Sequence, residues 1–212
     1  MNLQHHYWYF KQVIPKRYCD AIINYASTKK HGIALIGNNK NSKNLNWNDK
    51  KNLFKHRKSN IVWLDEKWIY NLIIPFVKKA NINANWNFDV NIAEQCQFTK
   101  YHEGQFYDWH CDSFAIPYGV DSERQVGQEF YGKIRKLSVT LSLSNPNDYR
   151  GGELEFCFTN NPKDRPITEE CKQILPQGSL VVFPSFVYHR VKPVTWGNRY
   201  SLVIWNCGKP FV

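Results

Sequence analysis

The spacing of hydrophobic positions along the chain changes near residue 88. Before this point, apolar side chains recur every three or four positions, as they do on one face of an amphipathic helix. After it, short runs of β-branched and aromatic residues alternate with turns rich in Gly, Pro and Asn. The pattern therefore predicts helices first and a series of short strands afterwards.

Two helices are predicted in the N-terminal part. The first spans residues 15–30, where Pro15 suits the first turn of a helix. Asp65 is expected to cap the second helix, and Pro75 inside it predicts a kink or an early end. The second helix carries apolar residues at helical spacing, namely Trp68, Leu72, Ile73 and Phe76. Residues 37–52, between the helices, are dense in Asn and Lys and are expected to form an exposed loop.

The strand-like runs occupy residues 90–100, 105–111, 136–144, 153–159, 178–183, 187–194 and 199–206. Short strands at this spacing favour an all-β sandwich or barrel over a parallel α/β sheet. The N-terminal helices are then expected to pack against the β core. Residues 113–132 interrupt the strand pattern, and a connection of this length is typical of a lid or a substrate-binding element.

The composition fits one folded domain. The chain has 212 residues, of which 42% are hydrophobic and 16% aromatic, and its 8 Trp favour a large core. We predict a single domain over 1–212, with a helical or mixed support region at 1–87 and the β core at 88–208. The N-terminus lacks the apolar segment of a secretory signal, and no stretch approaches the ~20 apolar residues that span a bilayer. A cytoplasmic location is therefore expected.

The net charge of +10 has two interpretations. A basic surface is able to bind nucleic acid, whereas Lys and Asn richness also follows from codon bias in an AT-rich genome. The basic residues are spread along the chain, which favours the second interpretation. Either way, a basic field attracts anionic small molecules. None of the 6 Cys forms a C-x-x-C pair, so a zinc ribbon is improbable and free buried thiols are expected.

The segment Y-H-E-G-Q-F-Y-D-W-H-C-D, residues 101–112, carries the first candidate chemistry. His110 and Asp112 are two positions apart, and on a strand such side chains project to the same face. A third ligand from a distant strand would complete a two-His-one-carboxylate triad, which binds Fe(II) and leaves coordination positions open. Cys111 lies between the two proposed ligands, and its role is left open.

The third ligand is expected near the C-terminus. His189 ends one apolar run and Arg199 opens the next, so adjacent antiparallel strands would bring both to one pocket. A buried guanidinium there would bind the far carboxylate of a keto diacid in a bidentate, charge-assisted contact. Tyr101 is placed to donate an O–H bond to the same carboxylate. Each residue alone also has a structural explanation, and only their joint placement favours a metal site.

Four segments then show a family resemblance. They are QFTKYHEGQFYDWHCD (97–112), LSVTLSLS (137–144), GGELEF (151–156) and FPSFVYHRVKPVTWGNRYSLVIW (183–205). Together they resemble the prolyl 4-hydroxylase-like branch of the 2-oxoglutarate/Fe(II) oxygenases, including the small bacterial and phage PKHD-type hydroxylases. The resemblance is strong over residues 88–208 and looser before them. It implies a double-stranded β-helix, or jelly roll, flanked by helices.

The resemblance also implies roles for single residues. It places the metal ligands at His110, Asp112 and His189, which are also the catalytic residues. The 2-oxoglutarate anchor falls on Arg199, where many prolyl hydroxylases carry Lys. Tyr101 and Thr140 match positions that line the co-substrate pocket, and Tyr107 and Trp205 match aromatics near the substrate. Gly151 and Gly152 are interpreted as a turn without chemistry.

The implied reaction is hydroxylation of an unactivated C–H bond, with conversion of 2-oxoglutarate and O2 to succinate and CO2. Fe(II) and ascorbate are the other expected requirements. A proline in a peptide or protein is the first candidate substrate, and aromatic and basic residues of 113–132 are candidates to hold it, namely Phe114, Tyr118, Arg124, Phe130 and Tyr131. Nucleic acid, a free amino acid or another small metabolite are alternatives, as is a metal-binding jelly roll without catalysis.

Overall fold

The computed structural model of this protein describes residues 3–33, 56–120, 127–159, 162–164 and 166–211. The loop expected at 37–52 and Arg124 lie outside the described residues. Within the described part, the helices are α1 (Lys16–Ser27) and α2 (Lys67–Asn83), with 3-10 turns at Gln128–Phe130, Pro146–Asp148 and Lys172–Ile174.

The strands are β1 (Trp8–Phe10), β2 (Gly32–Ile33), β3 (Arg57–Lys58), β4 (Asn60–Leu64), β5 (Ile92–Ala93), β6 (Cys96–Tyr101), β7 (Phe106–His110), β8 (Ile134–Ser142), β9 (Tyr149–Gly151), β10 (Leu154–Cys157), β11 (Thr168–Glu170), β12 (Leu180–Pro184), β13 (Tyr188–Val191), β14 (Val194–Gly197) and β15 (Arg199–Gly208).

The strands of the described ranges form two main sheets and a ribbon. The larger sheet has the order β1-β12-β8-β15-β6-β4-β2, with β5 paired to β15, and the smaller has the order β11-β10-β13-β7-β3. Strands β9 and β14 form a two-stranded ribbon, and all described pairs are antiparallel. This is the jelly-roll arrangement that the resemblance implies, and the mainly β prediction is confirmed.

Alternating residues of the larger sheet serve two cores. In β12, Leu180 and Val182 pack with buried residues of both helices, whereas Val181 and Phe183 pack with Phe156 of the smaller sheet. This alternation follows from the period of two along a strand. The larger sheet is therefore covered by helices on one face and by the smaller sheet on the other, and the space between the sheets holds the site described below.

Both helices form close to where they were predicted, with differences at their ends. Helix α1 begins directly after Pro15 and ends at Ser27. The expectation that Asp65 caps α2 is wrong, because Glu66 occupies the N-cap position without a side-chain cap and Asp65 instead accepts a hydrogen bond from the Tyr70 hydroxyl at 3.2 Å. Of the two outcomes predicted at Pro75, a kink or an early end, the early end is wrong, since α2 continues to Asn83.

The longer C-terminal strands lie within a few residues of their predicted positions, but the short strands before residue 65 and the short strands β9, β11 and β14 were not predicted. Strand β4 pairs with β6 along five residues, and β2 pairs with β4 at the edge of the larger sheet. The six cysteines are free, as expected. No helix in the described part of the chain is long and apolar enough to cross a membrane.

Candidate metal centre and its pocket

Three side chains from two neighbouring strands meet between the sheets. His110 is the last residue of β7 and lies opposite His189 of β13. Asp112 follows just beyond the end of β7, where its backbone N–H donates to the carbonyl of Ser185 at 2.8 Å. The Asp112 carboxylate lies 3.8 Å from Nε2 of His110 and 3.5 Å from Nε2 of His189. One ligand atom from each of the three residues falls within 4.8 Å of the others, which is compact enough for a single metal ion.

Backbone carbonyls orient both imidazoles. Nδ1 of His110 donates to the carbonyl of Asp108 at 2.7 Å, and Nδ1 of His189 donates to the carbonyl of Val187 at 3.0 Å. These bonds assign the proton to Nδ1 and leave the Nε2 lone pair directed towards Asp112. The sequence predicted the three candidate ligands. It did not predict the backbone carbonyls that fix the histidine tautomers, because those depend on the local backbone geometry.

The Asp112 carboxylate is held in turn by a serine pair. The Ser138 hydroxyl donates to Oδ2 of Asp112 at 2.7 Å and lies 2.9 Å from the hydroxyl of Ser185. Ser138 belongs to β8 and is fully buried. Sequence reasoning missed both serines, because a Ser on a buried strand carries no spacing signal of its own.

The protonation states suit a divalent cation. Burial lowers the pKa of His110 well below its ordinary value, and the nearby His189 lowers it further. Burial raises the pKa of Asp112, but His189, His110, the Arg135 charge and the hydrogen bond from Ser138 together lower it by more, so the net shift of this pKa is downward. At neutral pH His110 is therefore neutral and Asp112 is an anion, which are the states in which both groups bind metals.

A buried guanidinium closes the far end of the same pocket. Arg199, the first residue of β15, is 4% exposed and lies opposite Tyr101 of β6. It donates to the Ser201 hydroxyl at 3.3 Å, and its guanidinium carbon lies 5.5 Å from the centre of the Tyr101 ring. No carboxylate of the described residues forms an ion pair with it. A buried cation with only neutral partners fits an anionic ligand.

The predicted co-substrate residues lie together. The pocket is lined by residues of both sheets, namely Arg57, Gln97, Tyr101, Tyr107, His110, Asp112, Thr140, Leu154, His189, Val191, Arg199, Ser201, Val203 and Trp205. The candidate metal ligands, the two co-substrate candidates Tyr101 and Thr140, Arg199, and the aromatics Tyr107 and Trp205 are all in this set, whereas the described candidates from 113–132 are not. Thr140 lies on β8, where it pairs with Val203 of β15. The triad, Arg199 and the residues between them thus share one cavity.

The two candidate substrate aromatics both line the pocket. Tyr107 stacks on the His110 imidazole, with ring centres 3.5 Å apart and planes 12° from parallel. Trp205 is 6% exposed, and the Arg135 guanidinium lies 3.8 Å from its ring centre. Its Nε1 is buried without a hydrogen-bond partner among the described residues. A buried indole N–H usually has an acceptor, so this orphan donor points to an acceptor on a bound molecule.

Arg57 is a pocket residue that sequence reasoning missed. It lies on β3, is 5% exposed, and its guanidinium carbon is 4.3 Å from the centre of the Tyr107 ring. Its Nε donates to the Ser59 hydroxyl at 3.0 Å. Arg57, Tyr107 and His110 therefore form a continuous stack beside the metal ligands. An Arg in a two-residue strand has the sequence appearance of a surface charge, so no pattern distinguished it.

The described parts of 113–132 fold back onto the β core. Tyr118 is 5% exposed and donates to Glu94 at 2.7 Å, and Glu94 in turn accepts from Nε of Arg135 at 2.6 Å. The Phe114 and Tyr118 rings pack edge to face at 5.1 Å. Tyr131, by contrast, is 65% exposed. Tyr118 therefore anchors this segment to the β core, whereas the side chain of Tyr131 is accessible to solvent.

Comparisons with known proteins place this geometry in a family context. The model of the 2OG-Fe(II) oxygenase superfamily matches residues 96–207. A PKHD-type hydroxylase from Hyphomonas neptunium is 40% identical over 96 residues, which is 45% of this chain and 39% of that protein. The chain spans about two fifths of the length of the curated relatives it matches.

Solved structures share the fold over nearly the whole chain. A prolyl-4-hydroxylase from Pseudomonas putida has a TM-score of 0.62 at 20% identity, covering 98% of this chain and 95% of that one. A prolyl hydroxylase from Trichoplax adhaerens, in complex with a peptide fragment of the hypoxia inducible factor oxygen degradation domain, has a TM-score of 0.63 at 16% identity. It covers 96% of this chain and 84% of that one. At these identities the likeness concerns the fold.

Proposed function

Because this chain belongs to the 2OG-Fe(II) oxygenase superfamily, whose model matches more than half of it, we propose that it is a dioxygenase that hydroxylates an unactivated C–H bond. The family implies Fe(II) and 2-oxoglutarate. The observation that carries the proposal is the triad of His110, Asp112 and His189 in one cavity with a buried Arg199 that forms no ion pair with any described residue. A metal-storage jelly roll has no use for that cation.

The side chains fit both groups. His110 and His189 would hold iron through Nε2, and Asp112 through its carboxylate. Bound iron with 2-oxoglutarate supplies oxygen activation, coupled to conversion of the co-substrate to succinate and CO2. Arg199 would bind the far carboxylate of 2-oxoglutarate in a charge-assisted contact, to which Tyr101 adds its hydroxyl. The Ser138 bond to Asp112 fixes the carboxylate before any ligand arrives.

The remaining pocket residues would exclude water and orient the substrate. Thr140 lines the wall beside the co-substrate, and it is 7% exposed. Tyr107 and Trp205 line the same pocket and offer aromatic surface, and Nε1 of Trp205 has no hydrogen-bond partner among the described residues. A substrate that stacks on these rings and presents a carbonyl oxygen to that donor would satisfy the site.

A proline within a peptide is the substrate that we propose first. It offers an apolar ring for aromatic contact and a neighbouring carbonyl acceptor. The solved structures of similar fold include prolyl hydroxylases, one of them with a peptide bound, which supports this choice. Ascorbate is proposed as the reductant that maintains iron in the ferrous state.

The test is a peptide-dependent assay on the full chain. Succinate would be measured with Fe(II), ascorbate, air and 2-oxoglutarate, with a proline-rich peptide or the same peptide carrying alanine in place of proline. We expect succinate to rise with the proline peptide alone and one oxygen atom to appear on proline by mass spectrometry. A rate of succinate formation that neither peptide changes would reject the proline substrate. Nucleic acid and free amino acids would then be assayed in the same way.

A further inference from the structure

Gly152 lies directly against the side chain of Arg199. It follows β9, and its backbone N–H donates to the carbonyl of Pro193 at 3.1 Å. A Cβ atom built on Gly152 would be 2.8 Å from Cδ of Arg199 and 2.9 Å from Cγ2 of Val194. Both distances are shorter than carbon–carbon contacts in folded proteins, so any side chain at this position would force a neighbour to move.

Neither neighbour has room to move into solvent. Arg199 is 4% exposed and Val194 is 1% exposed. The backbone of Arg199 is fixed by its pairing with Tyr101, and its guanidinium is bound to the Ser201 hydroxyl. An added methyl group would therefore displace the stem of Arg199, since close-packed interiors transmit such displacements.

We propose that Gly152 is a positioning residue for the co-substrate anchor. Its lack of a side chain allows the Arg199 stem to lie against the backbone, and this contact sets where the guanidinium meets the far carboxylate of 2-oxoglutarate. The inference rests on the proposed function, because it assigns that carboxylate to Arg199. It gives a chemical consequence to the second glycine of the G-G-E-L segment, which the sequence presents as a plain turn.

A substitution at another glycine distinguishes the effect of this contact from the effect of backbone strain. Gly152 has φ +69° and Gly104 has φ +73°, so both have the left-handed conformation that disfavours a side chain. A Cβ on Gly104 would meet nothing within 4 Å. Gly104→Ala therefore imposes similar strain, about 1 kcal/mol, without touching the anchor, and serves as the matched control. Gly151 is unsuitable, because its Cβ would lie 2.3 Å from the carbonyl oxygen of Pro193.

The experiment measures binding rather than turnover. Wild type, Gly152→Ala and Gly104→Ala would be loaded with Mn(II) and titrated by calorimetry with 2-oxoglutarate and, separately, with pyruvate. Pyruvate has the same keto acid end but no far carboxylate. We expect Gly152→Ala to lose at least about ten-fold in 2-oxoglutarate affinity, as for a weakened charge-assisted bond. Its pyruvate affinity should stay at the wild-type level, and Gly104→Ala should retain both.

Three results would overturn the inference. One is wild-type affinity for 2-oxoglutarate in Gly152→Ala, and another is an equal loss for both ligands, which would indicate a structural role. The third is a wild type that binds 2-oxoglutarate no better than pyruvate, and this result would reject the proposed function as well. If Gly152→Ala fails to fold, the double variant Gly152→Ala/Val194→Ala removes the second contact and carries the same expectations.

Discussion

The Nε2 atom of His189 lies 3.5 Å from the carboxylate of Asp112, although the two residues come from distant parts of the chain. Strand pairing brings them together, because β13 lies next to β7 and sets His189 opposite His110. The chain reaches Asp112 just after β7 ends, and the carbonyl of Ser185 fixes it there. Antiparallel register therefore brings the three candidate metal ligands together.

Removal of any one ligand should abolish tight metal binding. We expect His110→Ala, Asp112→Ala and His189→Ala each to bind Mn(II) or Fe(II) at least about 100-fold more weakly, since two ligands remain. Metal affinity is measured by calorimetry, with circular dichroism as the check on folding. Asp108→Asn is the control, because Asp108 orients His110 through its backbone carbonyl and its side chain is 45% exposed. Unchanged affinity in any of the three alanine variants would remove that residue from the ligand set.

The loss of the buried guanidinium should have opposite effects on stability and on binding. Arg199→Met retains the aliphatic stem and removes an uncompensated buried charge, so the ligand-free melting temperature should stay equal or rise. The affinity for 2-oxoglutarate should fall by about 1.5–4 kcal/mol. Thermal melts with and without Mn(II) and 2-oxoglutarate measure both effects. A variant that retains the full ligand-induced stabilisation would place the anchor at another residue.

The hydroxyl of Ser138 should matter less than the ligands themselves. Ser138→Ala removes the 2.7 Å bond to Asp112 and leaves the carboxylate in place. We expect metal affinity to fall about ten-fold, which is typical when an outer partner of a ligand is lost. Affinity is again measured by calorimetry. Ser113→Ala is the comparison, because only backbone contacts of that residue are involved in holding the segment. Equal effects of the two substitutions would show that the hydroxyl of Ser138 has no special role.

The indole N–H of Trp205 should affect the binding of the substrate and not the binding of 2-oxoglutarate. Trp205→Phe retains aromatic surface and removes Nε1, so the KM for a proline peptide should rise several-fold, about 1 kcal/mol, while the KM for 2-oxoglutarate stays constant. Steady-state succinate assays separate the two constants. Trp196→Phe, on an indole that is 55% exposed, should change neither. If the KM for 2-oxoglutarate rises instead, Nε1 binds the co-substrate and not the peptide.

The ion pair of Glu94 and Arg135 is partly buried, and removing only one of its charges should be destabilising. Glu94→Gln leaves the Arg135 guanidinium unpaired beside Trp205, and the free energy of unfolding should fall by about 3–5 kcal/mol. The double variant Glu94→Gln/Arg135→Met removes the charge as well and should regain much of this loss. Urea unfolding measures both. A double variant that is less stable than Glu94→Gln would contradict a charge-based origin.

The sequence predicted the parts of the site that have a spacing. His110 and Asp112 are two positions apart, and strand periodicity was enough to bring them together. The expectation that adjacent antiparallel strands join His189 and Arg199 is wrong, because β13 belongs to the smaller sheet and β15 to the larger, and the two residues instead meet across the space between the sheets. The structure places all of them in one pocket. Long C-terminal strands such as β8 and β15 were equally visible, because β8 alternates apolar and polar residues from Leu137 onwards and β15 contains the apolar run Leu202 to Trp205.

Other features of the fold and the site have no recognisable spacing in the sequence. Strand β3 has two residues and gains its structure from pairing with β7, so neither the strand nor Arg57 was detectable in advance. Asp65 fits the rule for a helix cap, yet a tertiary contact with Tyr70 takes its carboxylate. Gly152 has the appearance of any turn glycine, and only the packing of Arg199 against it shows its position. Tertiary contacts, which local patterns do not contain, decide all three cases.

The measurement that tests the central claim most directly is the conversion of 2-oxoglutarate to succinate by the purified full chain with Fe(II) in air. Wild type and Asp112→Ala would be compared without any added substrate and by ligand binding under anaerobic conditions. The account predicts that wild type binds 2-oxoglutarate and forms succinate slowly, and that Asp112→Ala forms none. A wild-type protein that neither binds 2-oxoglutarate nor forms succinate would contradict it, and would leave a jelly roll that binds metal without oxygenase chemistry.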